Sequence, residues 1–112
     1  MKLLGDGAMV VSADADAGCA FALQLAASVE ADGQLPPVRV GLAAGHVMAL
    51  GGDHHGEVVN LAARLSAVAP AGGVLVDDEV RRRTSRTSFA PPAPAELRGF
   101  PAPVPASQAL PT

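Results

Sequence analysis

Residues 51–64 have the sequence G-G-D-H-H-G-E-V-V-N-L-A-A-R, in which a glycine-rich loop leads into a helix. The glycines allow backbone angles that a Cβ atom would penalise. After the last of them, apolar residues recur at helical spacing, which predicts an amphipathic helix over Glu57–Val68. Strand patterns occur on both sides of this stretch, so we expect the helix to pack on a sheet.

Two polar side chains mark one side of this helix. Asn60 and Arg64 are four residues apart, so they share a face one turn from each other. An amide and a guanidinium on a rigid element are suited to binding a polar, anionic ligand. Asp53, in the loop before the helix, can reach a donor group on the same ligand. On local sequence alone an Asn–Arg pair on a helix is more often a solvated face, so both interpretations stand.

The composition of the chain limits its folds and partners. Its 112 residues predict one small domain, residues 1–112. Apolar residues make up 49% of the chain, yet Trp and Tyr are absent and only three Phe occur, so the core must be built from Ala, Val and Leu. The formal net charge is −3, so no global basic field attracts nucleic acid, and we expect no nucleic-acid partner.

Two local features have plain structural interpretations. A cluster of four arginines is expected to be a solvated helix end rather than a binding site: Arg81, Arg82, Arg83 and Arg86. Cys19 is the single cysteine, so an intrachain disulfide is excluded. Its Ala-rich surroundings predict a small core residue rather than a reactive thiol.

The sequence contains no segment that predicts export or membrane insertion. The first residues, M-K-L-L-G-D, lack the apolar stretch of a signal peptide. No stretch approaches the roughly 20 apolar residues that cross a bilayer. These features predict a cytoplasmic chain without a membrane segment.

Turn and capping residues define the first elements. The sequence G-D-G at residues 5–7 predicts a hairpin between strands at residues 2–4 and 8–12. Asp14 or Asp16 can cap a helix that extends to about Ala31 and ends at Gly33. The apolar stripe of this helix is predicted to contain Phe21, Leu25, Ser28 and Val29, broadened by Leu23.

The middle of the chain alternates strands with helices. Strands are predicted at residues 38–42 and 46–50, before the glycine-rich loop at residues 51–56. A turn at residues 70–73 precedes a short buried strand at residues 74–76. Asp77 or Asp78 can then cap a short helix through about Thr84.

The C-terminal part is rich in proline and predicts weak structure. Residues 85–95 are Ser/Thr/Pro-rich and are predicted to be a flexible loop. Residues 97–104 can form a last strand, which Pro101, Pro103 and Pro105 confine to a sheet edge because each removes a ladder donor. Residues 105–112 are predicted to be a frayed tail. Taken together, the elements predict an α/β class chain, an α+β sandwich with one sheet covered by helices.

Four blocks of this sequence, in order, resemble the catalytic domain of class III adenylate/guanylate cyclases. They are K-L-L-G-D-G-A-M-V-V at residues 2–11, V-R-V-G-L-A-A-G at 38–45, G-D-H-H-G-E-V-V-N-L-A-A-R at 52–64 and L-R-G-F-P-A-P-V at 97–104. The resemblance spans nearly the whole chain but only the later part of the family's domain. It implies the ferredoxin-like nucleotidyl cyclase fold without its first strand and helices.

The resemblance implies a metal site and a purine site. Asp6 matches the second of two carboxylates that bind Mg²⁺ or Mn²⁺, hard cations that prefer oxygen ligands. On local sequence alone, a plain turn residue is the favoured interpretation of Asp6. Lys2 and Asp53 match the pair that binds the purine, and Lys with Asp is the combination that selects adenine. A carboxylate accepts from the amine of adenine and rejects the carbonyl that guanine has in its place.

The resemblance also implies roles in phosphoryl transfer. Asn60 matches the residue that positions the ribose, and Arg64 matches the residue that stabilises charge on the α-phosphate. Arg98 falls in the L-R-G block, where a polyphosphate contact and a surface arginine are equally plausible. Three histidines do not form a zinc-type cluster, and packing or ligand-edge contact is the expected role of the two in the loop: His46, His54 and His55.

In this family the active sites lie at a head-to-tail dimer interface, so the implied partners are ATP and a second cyclase domain, in a homodimer or heterodimer. The family's first metal carboxylate lies in a segment that this sequence lacks. Three hypotheses follow. The first is that the chain is an adenylate cyclase region that converts ATP to 3′,5′-cyclic AMP and pyrophosphate in signal transduction. The second is that it is a catalytically deficient module that pairs with or regulates an intact cyclase. The third is that it is the remnant of a truncated reading frame.

Overall fold

The chain begins with a two-stranded antiparallel hairpin. Strand β1 (Lys2–Leu4) pairs with β2 (Gly7–Met9), with Lys2 opposite Met9. The structure is a computed structural model and describes residues 2–4, 7–9, 14–44, 48–50, 53–55 and 57–111. The predicted hairpin is confirmed, and its turn residue Asp6 lies outside the described residues.

Helix α1 (Ala15–Asp32) has a side-chain cap at its first end and a glycine at its last. The Asp14 carboxylate accepts from the backbone N–H groups of Asp16, at 2.9 Å, and Ala17, at 3.4 Å. Gly33 ends the helix in the left-handed region, with φ of 74°. Of the two predicted caps, Asp14 is therefore the one used. Among the described helices, α1 included, none is long and apolar enough to span a membrane.

The buried face of α1 differs from the predicted stripe. The helix buries three small residues, Cys19, Ala22 and Ala26. Phe21 and Leu25 are 50% and 41% exposed and Ser28 is exposed, so the predicted stripe is wrong for these residues. Leu23 and Val29 are partly buried, and Leu23 packs against the core. Small side chains let the helix approach the sheet closely, and this close contact leaves the larger residues on the outer side. Cys19 is the predicted core residue, and burial raises the pKa of its thiol.

Strand β3 (Val40–Leu42) is followed by a second hairpin and the central helix. Strands β4 (Met48–Leu50) and β5 (Asp53–His55) pair antiparallel, with Leu50 opposite Asp53. Asp53 thus begins a strand, whereas the sequence predicted one loop over residues 51–56. Helix α2 (Glu57–Val68) has the predicted bounds.

Strand β6 (Val74–Asp77) lies at the centre of the main sheet and pairs in parallel with β3. The turn before it is closed by a hydrogen bond from Gly73 N–H to the Pro70 carbonyl at 2.8 Å, as predicted. Helix α3 (Asp78–Arg83) follows directly, and its cap is Asp77, which accepts from Val80 N–H at 2.8 Å. Two exposed arginines of α3, Arg82 and Arg83, pair with Glu79, in keeping with a solvated helix end.

The C-terminal part forms more structure than predicted. Strands β7 (Ser88–Phe89) and β8 (Ala93–Ala95) lie within the segment predicted as a flexible loop. Strand β9 (Val104–Leu110) pairs with β6, β7 and β8, so the predicted frayed tail is wrong for residues 105–110. The predicted edge strand at residues 97–104 is wrong as well, because only Val104 lies in a strand and that strand is inside the sheet. Pro105 lies opposite Pro94 and precedes the span paired with β6. Its missing N–H therefore does not interrupt the β6–β9 ladder.

Two apolar clusters cover the two faces of the main sheet. One joins α1 to the sheet through Cys19, Ala22, Ala26, Val74, Val76, Val80 and Ala109. The other contains Leu65 of α2 with Leu97 and Ala106, and Leu75 packs against it. Successive residues of β6 point to opposite faces, which places Val74 and Val76 in the first cluster and Leu75 beside the second. The predicted α+β sandwich is confirmed.

Asp16 connects α1 to the segment after α3. Its carboxylate accepts from the backbone N–H groups of Ser85 and Arg86, both at 3.0 Å, and from the Thr87 hydroxyl at 3.1 Å. The backbone hydrogen bond from Ser85, followed by that from Arg86, lowers the pKa of Asp16 below its ordinary value. The hydrogen bonds of Asp16 therefore join the start of α1 to a segment about 70 residues later in the sequence.

We expect Asp16→Asn to lower the free energy of unfolding at neutral pH. Because the pKa is lower in the folded chain, the ionised carboxylate stabilises the fold above the ordinary value of 3.8. This stabilisation is lost as the pH falls from 3.8 through the lower folded-state pKa. Urea midpoints of wild type and variant should therefore differ at pH 7 and converge in acid. Glu30→Gln, exposed on the same helix, is the control, and an equal shift in both variants would contradict the prediction.

Candidate functional site

Helix α2 carries the two residues that the sequence predicts for phosphoryl transfer. It begins directly after β5 and packs against β3, β5 and β6. Leu65 has no exposed surface and packs the buried side of α2 into the second apolar cluster. Asn60 is exposed and Arg64 is half-buried. The helix therefore presents an amide and a guanidinium one turn apart, as predicted.

The guanidinium of Arg64 has an unusual environment. Its Nε atom is buried, and no hydrogen-bond acceptor contacts it within the described part of the chain. Buried donors are nearly always paired, because an unpaired one has lost its hydration without compensation. The guanidinium is planar and offers donors in a fixed fork that matches carboxylate and phosphate oxygens. Arg64 is only half-buried, so a ligand can approach the exposed part of this side chain, while the buried Nε has no acceptor among the described residues.

The residues predicted to bind the purine lie on the two hairpins. Lys2 is in β1, and Asp53 begins β5, the strand that contacts α2. The backbone thus brings the strand of Asp53 next to the helix of Asn60 and Arg64. The side chains of Lys2, Asp53 and the three histidines lie outside the described residues, so their predicted roles stay predictions.

Arg98 lies at the tip of a tight turn beside α2. The turn is closed by a hydrogen bond from Phe100 N–H to the Leu97 carbonyl at 3.1 Å, and Gly99 has φ of 87°. Leu97 is buried in the same cluster as Leu65, which anchors the turn against the helix. Arg98 itself is exposed. A surface arginine and a polyphosphate contact both remain compatible with this position.

Asp77 is a buried carboxylate whose second contact the sequence did not predict. Besides capping α3, it accepts from Ala44 N–H at 3.4 Å. Burial raises its pKa above the ordinary value. The contact joins the end of β3 to the end of β6, and since these residues are far apart in sequence, only the fold reveals it.

The predicted metal site cannot be assembled from the described side chains. Asp6 falls between β1 and β2 in sequence and is outside the described residues. In the remaining, described residues, no group of three or more His, Cys, Asp and Glu side chains is arranged to hold a metal ion. The metal therefore stays a prediction from the resemblance.

Similarity to known proteins identifies the class of this domain. No family model matches the chain. It is 38% identical over 96 residues to an adenylate cyclase of Streptomyces griseus and 39% identical over 95 residues to one of Streptomyces coelicolor. These alignments cover 86% and 85% of this chain but 24% and 25% of the relatives, so the chain spans about a quarter of their length.

The solved structure of an adenylate/guanylate cyclase/hydrolase from Silicibacter pomeroyi superposes on this chain with a TM-score of 0.83 and 25% identity. The match covers 98% of this chain and 70% of that one. The α+β sandwich thus has the fold of a nucleotidyl cyclase-type domain. The chain belongs to the class III adenylate/guanylate cyclase family.

Proposed function

We propose that this chain forms part of an adenylate cyclase catalytic centre, which converts ATP to 3′,5′-cyclic AMP and pyrophosphate in intracellular signalling. The observation that carries the proposal is the placement of two polar side chains on α2, with half-buried Arg64 one turn from the exposed amide of Asn60. The planar donor fork of a guanidinium is suited to an oxygen on which negative charge grows. The relatives named adenylate cyclase support the choice of reaction.

In the proposed mechanism, each residue acts on one part of ATP. Arg64 donates to the α-phosphate as the ribose 3′-oxygen attacks it, and Asn60 holds the ribose so that this oxygen is in line. Lys2 donates to a ring nitrogen of adenine, and Asp53 accepts from its exocyclic amine. Arg98 binds the polyphosphate, which leaves as pyrophosphate.

Asp6 is the residue of this chain that would hold Mg²⁺ or Mn²⁺. A carboxylate is the oxygen ligand that these hard cations prefer, so its chemistry fits. The bound cation supplies charge neutralisation for the phosphates in phosphoryl transfer. We propose that the other metal carboxylate, the first of the pair, comes from elsewhere in a dimer, formed with another copy or with a different cyclase domain. The proposed location is the cytoplasm, where ATP is available.

The test is cyclic AMP formation from Mn-ATP by the purified chain. The chain is assayed alone and mixed with an intact homologous cyclase that keeps its metal carboxylates but lacks its own Asn and Arg site residues. We expect product in the mixture, and at least tenfold less product from GTP, because Asp53 rejects the guanine carbonyl. Product from the chain alone would mean that it is a complete enzyme. No product in either sample from a folded chain would overturn the proposal and favour the regulatory module.

A further inference from the structure

Gly41 lies in direct contact with the backbone of α2. A Cβ atom at this position would fall 2.8 Å from the Leu65 Cβ and closer still to the Ala62 carbonyl oxygen and the Ser66 nitrogen. Two of these three atoms belong to the helix backbone, which no side-chain rotation can move away. Strand β3 and helix α2 therefore approach so closely that only a residue without a side chain fits between them.

Arg39, two residues before Gly41, contacts the C-terminal end of α2. Its Nη1 donates to the carbonyl of Ala69, the residue that follows α2, at 3.3 Å. The last turn of α2 contains no basic residue of its own. A cation at a helix C-terminus interacts favourably with the helix dipole and with the unpaired carbonyls there. Arg39 supplies this cation from the neighbouring strand segment.

The contact face of α2 is opposite its functional face. Residues in an α-helix are about 100° apart around the axis. Ala62 and Ser66, which face Gly41, therefore lie on the side away from Asn60 and Arg64. A helix moves as a rigid element, so a displacement from β3 carries Asn60 and Arg64 outward by the same distance.

We propose that Gly41 and Arg39 are positioning residues for the Asn60–Arg64 pair. They set its distance from the sheet and its position along the axis of α2. The inference rests on the proposed function, since it concerns the same site. Gly41 controls how close the middle of α2 lies to the sheet, and Arg39 holds its C-terminal end. Neither residue needs to touch the substrate for this role.

Gly41→Ala should lower kcat for cyclic AMP formation about 10- to 100-fold in the mixed assay. Moving the Leu65 Cβ from 2.8 Å to an ordinary contact distance of about 3.5–4.0 Å displaces the helix by roughly 1 Å, and a 1 Å error in placement can reduce a rate about 100-fold. KM for ATP should change less than about twofold, because the adenine contacts are proposed on β1 and β5.

The matched control for Gly41→Ala is Gly33→Ala. Gly33 has φ of 74°, so alanine there is strained, but its Cβ would lie more than 4 Å from every atom of the described residues outside its immediate neighbours. This variant should lower the melting temperature by roughly 5 °C without lowering kcat. The comparison separates general destabilisation from displacement of α2, because Gly33 ends α1 and a Cβ there meets no described atom of α2.

Exposed Arg39 offers a milder test if Gly41→Ala does not fold. Arg39→Met keeps the apolar stem but removes the donor to Ala69, and we expect kcat to fall roughly three- to tenfold, as for loss of one hydrogen bond. Arg39→Lys should restore most of the rate, because an ammonium can donate to the same carbonyl. Arg81→Met, an exposed arginine on α3, is the control and should leave kcat unchanged.

Amide hydrogen exchange of the peptide covering residues 57–68 gives a readout that does not depend on activity. Support requires faster exchange in α2 together with the loss of kcat, in Gly41→Ala or in Arg39→Met, with rescue by Arg39→Lys. Unchanged exchange in both variants, or faster exchange with unchanged kcat, overturns the inference. If the wild-type mixture makes no cyclic AMP, the proposed function fails and the positioning role fails with it, whereas exchange still shows whether β3 holds α2.

Discussion

Arg64→Ala is expected to reduce kcat for cyclic AMP formation in the mixed assay about 10²- to 10³-fold, the typical effect of removing one preorganised donor from a developing oxyanion. In this chain Arg64 is half-buried on α2, and we propose that the exposed part of its guanidinium donates to the α-phosphate. Because the interaction strengthens in the transition state, KM for ATP should change much less than kcat. Initial rates with Mn-ATP measure both constants.

Two further variants make this expectation specific. Arg64→Lys should recover only part of the rate, because an ammonium lacks the planar fork of the guanidinium. Arg86→Ala, which removes an exposed arginine after α3, should leave the rate unchanged. Arg64→Met should not lower the melting temperature, since it replaces a buried donor that has no acceptor among the described residues with an apolar group. A rate for Arg64→Ala within twofold of wild type would remove Arg64 from the proposed site.

Leu65→Ala is expected to have the largest effect on stability. Leu65 has no exposed surface and joins α2 to Leu97 and Ala106 in the second apolar cluster. Truncation of a fully buried leucine leaves a cavity and costs about 3–5 kcal/mol. For a chain of this size the corresponding fall in melting temperature is about 12–20 °C or more. Thermal and urea unfolding followed by circular dichroism measure the change.

The matched control is Leu35→Ala, since Leu35 is 57% exposed in the segment after α1. Its truncation should change the free energy of unfolding by less than about 0.5 kcal/mol, as for most surface substitutions. A loss of less than about 1 kcal/mol in Leu65→Ala would contradict the placement of Leu65 in the core.

Local patterns predicted several elements with accurate ends. Helix α2 has the bounds that apolar periodicity predicts, and the caps Asp14 and Asp77 were both among the predicted pairs. Gly33 ends α1 as expected. These predictions hold because capping and helical spacing depend on residues within a few positions of one another.

Other predictions failed where distant parts of the chain decide the outcome. The larger apolar residues of α1 suggested a buried stripe, but close packing on the sheet selected its small residues. The prolines suggested a C-terminal edge strand, but pairing with three strands places β9 inside the sheet. In both cases the energy depends on contacts with residues remote in sequence, which a local window does not contain.

The candidate site was likewise predicted in part from the sequence, and the rest of it is visible only in the tertiary structure. The sequence by itself determined the order of the motif blocks, the helix that carries Asn60 and Arg64, and the family to which the chain belongs. Only the tertiary structure decided that the Arg64 Nε is buried without a described partner, that the strand of Asp53 contacts α2, and that Gly41 lies against its backbone. The reason is physical: residue type and spacing specify local conformation, whereas burial and close approach arise only when separate elements pack together.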